Sequence, residues 1–365
     1  MDSSFLRGEG SMVYGFLRAI GRVIANPIVL VLPWLAACGG LSRLSALVSS
    51  PQASSLAIAS PQPLQPTLPA PTAPALAHNL AQHIRTHCWI TYTPTAFDPR
   101  PRPMVWPSRA SVEADLAALR RIGVEGLVTY RSFFYEAAGD SDREILPLVD
   151  LAAAAGFEAM VVGVWDPGSE AELAAAEAVG GEPLVWGYSV GNEGLGKRYD
   201  RAVLTAAIDR LRQATGKPIA TTEETPDYFQ DPALYSTGDW IFANVHPYFA
   251  GIRDPDRAAA WTDRMYGLFH HLPNLEPAQR PIVFKEVGLP TAGAENVSEM
   301  QQAAYYQALR QTEVTYVNFA AFDLPWKQDT GQGDFPSVED PEPYWGVLRA
   351  DRSPKPAARH LCDRP

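Results

Sequence analysis

The chain has 365 residues, 46% of them hydrophobic, which is enough for one large domain or two average ones. Its formal net charge of -11 argues against a nucleic-acid-binding protein, because such proteins cluster Lys and Arg on one face. The sequence also contains 9 Trp and 14 Tyr, on which the flat C–H faces of sugar rings can pack, although most of these side chains belong in the core.

Residues 1–37 have the order of a secretory signal peptide: a positive region, a short apolar run over residues 28–35 and small residues behind it. The run is too short for a good transmembrane helix. Residues 35–38, Leu-Ala-Ala-Cys, resemble the bacterial lipobox, whose cysteine is acylated and becomes the mature N-terminus. A plain signal peptide with a chance cysteine is the alternative. We expect an exported protein held at the cell envelope and its membrane by a lipid on Cys38.

Residues 38–77 are mainly Ser, Ala and Pro, with almost no charge. Such a segment cannot bury a core and tends to extended, polyproline-like conformations. We therefore predict a disordered spacer over residues 38–77 and a folded domain over residues 78–365.

From residue 88 onward, short β-branched or aromatic runs alternate with amphipathic helical stretches, which is typical of a parallel sheet. The helices are predicted at residues 111–119 (capped by Ser111), 142–155, 169–179, 199–215, 256–271 and 298–312. The eight predicted strands cover residues 88–93, 126–130, 157–164, 184–190, 218–222, 240–245, 281–285 and 314–322.

Eight strands in about 275 residues are close to the ~250 residues of a typical (β/α)8 barrel. A doubly wound open sheet is the rival fold, but no glycine-rich phosphate turn follows the first strand. The sequence therefore predicts a single catalytic domain with the α/β fold of a (β/α)8 TIM barrel.

Polar side chains follow most of the predicted strands, at the barrel edge where catalytic residues belong. They are Tyr130, Asp166, Asn192, Glu193, Glu223, Glu224, His246, Tyr248, Glu286 and Asp323. Glu193 and Glu286 stand out because each carboxylate follows an apolar strand directly. Strands four and seven face each other across the barrel mouth, so these two side chains can converge.

Two converging carboxyl groups are what glycoside hydrolysis with retention requires, at a separation of ~5–5.5 Å. One attacks the anomeric carbon, while the other protonates the leaving oxygen and later activates water. Their pKa values must differ for this division of work. Either glutamate alone could instead pair with a basic neighbour such as Lys285 or Arg198, but two of them at these strand ends favour a catalytic pair.

Several motifs resemble family-17 glycoside hydrolases. Asn192 and Glu193 after strand four, with Glu286 after strand seven, match the large retaining clan that includes this family. Residues 286–290, Glu-Val-Gly-Leu-Pro, resemble its Glu-Thr-Gly-Trp-Pro motif. The segments 243–249, 321–327 and 342–347 resemble three further motifs, and the resemblance covers residues 88–357 in the right order.

The resemblance implies a β-1,3-glucan-active retaining enzyme with Glu193 as acid/base and Glu286 as nucleophile. A glucanosyltransferase would use the same two residues. Asn192 would hold a sugar hydroxyl and Tyr248 would hydrogen-bond the nucleophile. Trp326 would stack on a sugar ring, or pack in the core, and Lys327 would contact sugar oxygens. The remaining candidate substrate contacts are Tyr130, His246 and Glu224. His246 could equally be a structural residue, and Glu223 is the alternative to Glu224.

Two departures leave the substrate linkage open. Leu289 and Leu324 stand where the family has Trp and Glu near its glucose sites. A same-clan enzyme for β-1,4 or mannose-based polymers is therefore an alternative, as is a non-catalytic carbohydrate-binding lipoprotein. We interpret the seven histidines as showing no paired spacing of metal ligands. We expect no metal, no cofactor and a monomer.

Three cysteines are present, and Cys38 is assigned to the lipid. Cys88 and Cys362 then lie at the two ends of the folded region, which a closed barrel brings together. A disulfide between them is geometrically reasonable. Two separate thiols are the open alternative.

Overall fold

The computed structural model describes residues 72–101, 103–136, 144–271, 280–328 and 340–363. Strands and helices alternate along these ranges. The elements are α1 (Ala73–Thr86), β1 (Trp89–Tyr92), α2 (Arg109–Arg121), β2 (Gly126–Thr129), α3 (Leu148–Ala154), β3 (Ala159–Val164), α4 (Glu170–Ala178), β4 (Val185–Val190), α5 (Arg201–Thr215), β5 (Ile219–Ala220), α6 (Thr225–Gln230), β6 (Ile241–Val245), α7 (Pro255–His270), β7 (Ile282–Val287), α8 (Glu299–Leu309) and β8 (Tyr316–Asn318).

The eight strands form one sheet in the order β5-β4-β3-β2-β1-β8-β7-β6. Each strand lies beside its neighbours in the chain, and β1 pairs in parallel with β8, where Ile90 is opposite Asn318. The two ends of the order approach each other through a parallel bridge between Glu224, after β5, and Asn244 in β6. The predicted (β/α)8 barrel is confirmed.

All eight predicted strands are present, most of them one to four residues shorter at an end. The exception is β7, which runs through Glu286 to Val287 instead of ending at residue 285. The helix predicted from residue 142 begins only at Leu148, with Pro147 as its N-cap. Residues 142–143 lie outside the described ranges.

The cap of α2 differs from the prediction. Ser108, and not Ser111, is its N-cap, and the Ser108 hydroxyl accepts a hydrogen bond from the backbone N–H of Ser111. Three residues therefore join the helix ahead of the predicted start. Gly216 ends α5 in the left-handed conformation at a φ of 65°, as expected of a C-terminal glycine.

The first helix, α1, corrects the predicted spacer. It begins at Ala73, inside the segment 38–77, with Pro74 in its first turn. Ala77, Leu80 and Ile84 are buried along one face of the helix. They pack at the amino-end floor of the barrel against a group of buried side chains: Trp89, Val128, Ala159, Val161, Ala220, Trp240, Phe242, Val283 and Val317. The folded domain therefore includes residues 73–77, which the prediction assigned to the spacer.

Cys88 and Cys362 are joined by a disulfide bond, with 5.2 Å between their Cα atoms. The bond links the residue before β1 to the C-terminal segment. The predicted signal peptide, Cys38 and the spacer up to residue 71 lie outside the described residues. Within the ranges that are described, none of the helices has the length and apolar character needed to cross a membrane.

Candidate active site

Glu193 lies in a tight turn after β4. Gly191 has a φ of 77°, and a Cβ on it would meet the Tyr199 hydroxyl at 2.2 Å, so only glycine fits there. Glu193 itself has a φ of 51°, an unfavourable backbone conformation for a residue with a side chain. Strain of this kind concentrates at functional sites and persists only where neighbours hold it.

Tyr199 and Glu223 hold this turn. The Tyr199 hydroxyl accepts a hydrogen bond from the Gly194 N–H at 3.2 Å and donates to Glu223 Oε1 at 3.1 Å. The Leu195 N–H donates to the same oxygen at 3.3 Å. The Glu193 N–H donates to a backbone carbonyl after β5, at 2.9 Å. The turn is thereby tied to the neighbouring strand on both sides of Glu193.

The Glu193 side chain is bound by Asn244 of β6, whose Nδ2 donates to Glu193 Oε1 at 2.5 Å. Burial raises the pKa of the Glu193 carboxyl, and the nearby Glu286 carboxylate raises it further. The hydrogen bond from Asn244 and the proximity of His246 act in the opposite direction on this pKa, and the net shift is upward. Glu193 therefore keeps a proton at a higher pH than an ordinary glutamate.

Glu286 is buried on β7 and faces two basic groups. Lys285 Nζ lies 3.4 Å from its Oε1, and His246 Nε2 lies 3.4 Å from its Oε2. Burial acts to raise the pKa of this carboxyl, but Lys285, His246 and Lys327 outweigh it and lower the pKa to about 2. Glu286 is therefore an anion across the physiological pH range.

Irregular strand pairing explains how Lys285 and Glu286 both come to lie in the barrel mouth. Consecutive residues of a regular strand point to opposite faces. The register of β7 against β8 shifts between Phe284 and Val287, and that of β6 against β7 shifts between Ala243 and Asn244. Such bulges redirect side chains and are common beside active sites.

The two predicted catalytic carboxylates converge. One oxygen of Glu193, one oxygen of Glu286 and a ring nitrogen of His246 lie within 4.8 Å of one another. Opposed pKa shifts in neighbouring carboxyl groups allow one to serve as an acid and the other as an anion. The site can thus donate a proton and present a nucleophile to the same small volume.

Other predicted site residues surround this pair. Asn192 is almost buried, and its Oδ1 accepts a hydrogen bond from Lys285 Nζ. Tyr130 lies with its ring centroid 4.3 Å from the same nitrogen. Burial raises the pKa of the Tyr130 hydroxyl. The Glu286 carboxylate raises this pKa further, because Tyr130 lies beside it.

The structure separates Glu223 from Glu224. Glu223 is buried in the Tyr199 contacts described above, and burial raises its pKa to about 7. Glu224 is exposed and close enough to Glu193 to contribute to the raised pKa of that carboxyl. Glu224 is thus the one of the two whose carboxylate is accessible beside Glu193.

The roles predicted for Tyr248, Trp326 and Lys327 stay predictions. Tyr248 is buried, with its ring against Trp345 and under the Arg253 guanidinium. His246, the residue directly after β6, lies beside Glu286. Trp326 is half-buried. Lys327 Nζ lies 3.5 Å from a Glu342 carboxylate oxygen.

Three strand-end positions differ from the expected cleft residues. Leu289 and Leu324, the two departures from the family motif, are only 1% and 6% exposed and so offer almost no apolar surface on which a sugar ring could pack. Asp323 accepts hydrogen bonds from Lys355 Nζ at 2.7 Å and from the Gly346 N–H at 3.0 Å. Its carboxylate therefore stabilises the chain after β8.

Sequence reasoning missed Asn244, Lys285 and Tyr199 as site residues, and it left open whether Glu223 or Glu224 faces the cleft. The signal was present for the first two, since Asn244 and Lys285 are polar residues inside otherwise apolar strands. A buried polar side chain requires a partner, so each predicts a contact within the barrel mouth. Tyr199 gave no such signal because it lies in a loop.

The expectation that the histidines show no paired metal-ligand spacing was wrong for His83 and His87. These two residues lie four positions apart at the end of α1. Ligand atoms of these two side chains and of Glu158 lie within 4.8 Å of one another. Trp89 Nε1 donates to His83 Nδ1 at 3.1 Å. Because an indole N–H can only donate, His83 Nε2 carries the ring proton and His83 does not offer a free lone pair to a metal.

A family model described as the BtgE/BtgC glycoside hydrolase domain matches residues 90–346. This span runs from β1 past β8 and includes both Glu193 and Glu286. The chain belongs to this family. The narrower resemblance to family 17 stays a prediction.

Fungal relatives are similar to part of the chain. The probable glucan endo-1,3-beta-glucosidase btgC of Aspergillus fumigatus is 29% identical over 164 residues, 39% of this chain and 22% of that protein. The corresponding protein of Aspergillus clavatus is 29% identical over 199 residues, 46% of this chain and 27% of that protein. The matches thus span about a quarter of the length of these relatives.

Solved structures share the fold. An endo-laminarinase from Formosa aligns with a TM-score of 0.52 at 17% identity, covering 73% of this chain and 84% of that one. The β-1,3-glucanase CJP38 of Cryptomeria japonica pollen aligns with a TM-score of 0.53 at 17% identity, covering 73% and 97%. At this identity the likeness establishes the barrel fold alone.

Proposed function

We propose that the chain is a retaining glycoside hydrolase that cleaves β-1,3-linked glucan, with Glu193 as acid/base and Glu286 as nucleophile. The observation that carries the proposal is the pair itself: two carboxylates within 4.8 Å, one with a raised pKa and one with a pKa lowered to about 2. Oxygen atoms this close favour retention, because they leave no room for the water that inverting enzymes admit between carboxyl groups ~6.5–9.5 Å apart.

In the first step a carboxylate oxygen of Glu286 attacks the anomeric carbon and forms an ester bond to it. The bond from that carbon to the leaving oxygen breaks, and Glu193 donates its proton to this oxygen. Lys285 and His246, each 3.4 Å from a Glu286 oxygen, hold the attacking carboxylate in place. The turn around Glu193 holds the acid.

The second step returns both carboxyl groups to their starting state. Once Glu286 is an ester, its negative charge no longer raises the pKa of Glu193. Glu193, now ionised, takes a proton from a water molecule, and the water oxygen attacks the anomeric carbon. The ester bond breaks, Glu286 leaves as a carboxylate, and the product retains the anomeric configuration.

The similarity to the fungal relatives, which are probable glucan endo-1,3-beta-glucosidases, supports β-1,3-glucan as the substrate. Within the site, Asn192 and Tyr130 lie beside the pair and are proposed to contact the sugar at the cleaved bond. Trp326, Lys327 and Glu224 are proposed contacts for neighbouring sugars.

The test is a product analysis with purified protein on laminarin and on β-1,4-glucan. We expect release of short β-1,3 oligomers with retained configuration, and a loss of at least 10³-fold in kcat for Glu286→Gln. Products longer than the substrate would identify glucanosyl transfer instead of hydrolysis. Cleavage of the β-1,4 polymer alone would contradict the proposed linkage, and folded protein without turnover on any glycan would favour a carbohydrate-binding role.

We also propose that the protein is exported and anchored at the cell envelope through a lipid on Cys38. The support is the lipobox-like sequence at residues 35–38 behind an apolar run. Labelled palmitate is expected to enter the wild-type protein and not Cys38→Ser. Equal labelling of both proteins, or recovery of unlabelled wild type in the membrane fraction, would contradict the anchor.

A further inference from the structure

Lys285 is a buried cation at the centre of the site. Its side chain is 1% exposed, on β7 directly before Glu286. The ammonium group donates to Asn192 Oδ1 and lies 3.4 Å from Glu286 Oε1. The face of the Tyr130 ring covers it at 4.3 Å from nitrogen to centroid. An isolated charge at this depth would strongly destabilise the fold, and these three partners, from β2, β4 and β7, offset that cost.

The contact with Asn192 fixes the direction of an amide. An ammonium group has donors only, so it must face the amide oxygen of Asn192 and not its NH2 group. The NH2 group is therefore the end of the amide that faces away from Lys285, on the residue that directly precedes Glu193. Asn192 is presented as a hydrogen-bond donor, which suits the oxygen of a sugar hydroxyl.

The contact with Glu286 is electrostatic. The groups that act on this carboxylate are Lys285 before it on β7, His246 after β6, Lys327 after β8, Tyr130 after β2 and Glu193 after β4. The charge of Lys285 is the largest single contribution that lowers the pKa of Glu286, and His246 lowers it both by its hydrogen bond and by its charge. Because this lysine is buried, dissolved salt screens its effect much less than that of a surface charge.

The ionisation of Lys285 is itself coupled to the carboxylates. Burial lowers the pKa of its ammonium group, and Glu286, Glu193 and the more distant Glu223 act to raise it. The cation is therefore retained by the same negative charge that it stabilises. A neutral side chain at this position would leave Glu286 with His246 and Lys327 alone.

We propose that Lys285 is a positioning residue of the glycosidase site, supplying the charge that fixes the Glu286 carboxylate and turning the NH2 group of Asn192 toward the sugar. This inference rests on the proposed function. It adds to that function a buried lysine that orients Asn192 and Glu286. In this proposal those two residues contact the substrate and Lys285 does not.

The test compares wild type with Lys285→Met and Lys285→Gln on an aryl β-laminaribioside whose good leaving group needs no proton. With this substrate the acidic limb of the pH profile of kcat/KM reports the ionisation of Glu286. We expect the limb to move up by about 1–3 pH units in both variants, since an opposite charge at this distance lowers a carboxyl pKa by that amount. Glutamine can still donate to Asn192, so KM should rise in the methionine variant only.

Wild-type turnover in the same assay tests the proposed function separately. If wild type is active and both folded variants keep its acidic limb, the inference about Lys285 is overturned while the function stands. If the neutral variants do not fold, the acidic limb of wild type is measured at low and at high salt instead. A limb that stays in place supports a buried cation as its cause, because salt screens a buried charge much less than a surface charge. A limb that moves up by a full pH unit at high salt overturns the inference.

Discussion

At the scale of single residues, Asn244 is the side chain that links the proposed acid to the neighbouring strand. Its hydrogen bond to Glu193 Oε1 favours the ionised carboxyl, because an amide N–H binds a carboxylate more strongly than a neutral acid. Asn244 therefore opposes the effects that raise the pKa of Glu193, which are burial and the charges of Glu286 and Glu224. Asn244 thus holds the Glu193 carboxyl group in place and at the same time lowers its pKa.

Replacing Asn244 by alanine should consequently raise the pKa of Glu193. A hydrogen bond to a charged group contributes about 1.5–3 kcal/mol, so we expect the alkaline limb of the kcat/KM profile to move up by about one pH unit. The pH profile on laminarin measures this shift. Asn79→Ala, on the exposed face of α1, is the matched control and should leave the profile unchanged. A downward shift in Asn244→Ala would contradict the assignment of Glu193 as the acid.

Glu223 has a different effect, on stability. Burial raises its pKa to about 7, from the ordinary glutamate value of 4.5. The unfolded chain therefore loses this proton first as the pH rises, and the free energy of unfolding falls between pH 4.5 and 7, by about 3 kcal/mol at full ionisation. Glutamine keeps an oxygen that accepts from Tyr199 but has no proton to lose.

The difference in melting temperature, Glu223→Gln minus wild type, should therefore be larger at pH 8 than at pH 5. Thermal unfolding of both proteins at the two pH values measures the difference. Glu224→Gln alters an exposed carboxylate next to it and serves as control, with a difference that changes little with pH. If Glu223→Gln gains nothing at pH 8, the raised pKa of Glu223 is contradicted.

At the scale of elements, the sequence predicted what local patterns encode. The strands were found because runs of apolar residues mark them, and α5 ended at Gly216 because glycine adopts the left-handed C-cap. The helix α1 was missed because Pro and Ala around residue 73 resemble the spacer before it. Its apolar positions 77, 80 and 84 have helical spacing, but their burial depends on a barrel floor formed by distant strands.

The helix α1 should contribute to stability as a part of the barrel core. Leu80 is fully buried against this floor, so Leu80→Ala is expected to lower the free energy of unfolding by about 2–5 kcal/mol. Denaturant unfolding measures the loss. Gln82→Ala replaces an exposed residue of the same helix and should change stability by less than about 0.5 kcal/mol. Equal values for the two variants would mean that α1 does not pack on the barrel.

At the scale of the whole molecule, the closed barrel decides which distant residues meet. Strand order alone predicted that Glu193 and Glu286 converge, since β4 and β7 face each other across the mouth. It did not predict the partners of Lys285, which the sequence offered only as a neighbour of Glu286. The contact with Asn192 spans 93 positions of the chain and depends on bulges in the sheet that no local pattern marks.

The disulfide between Cys88 and Cys362 secures this closure. It joins residues 274 positions apart, and a covalent link over so long a loop restricts the unfolded chain most strongly. We expect the double variant Cys88→Ser, Cys362→Ser to lose roughly 3–5 kcal/mol of stability in denaturant unfolding. Wild type treated with dithiothreitol should fall to the same value, whereas Cys38→Ser should not. A double variant as stable as untreated wild type would mean that the packing of β1 against β8 closes the barrel without the covalent bond.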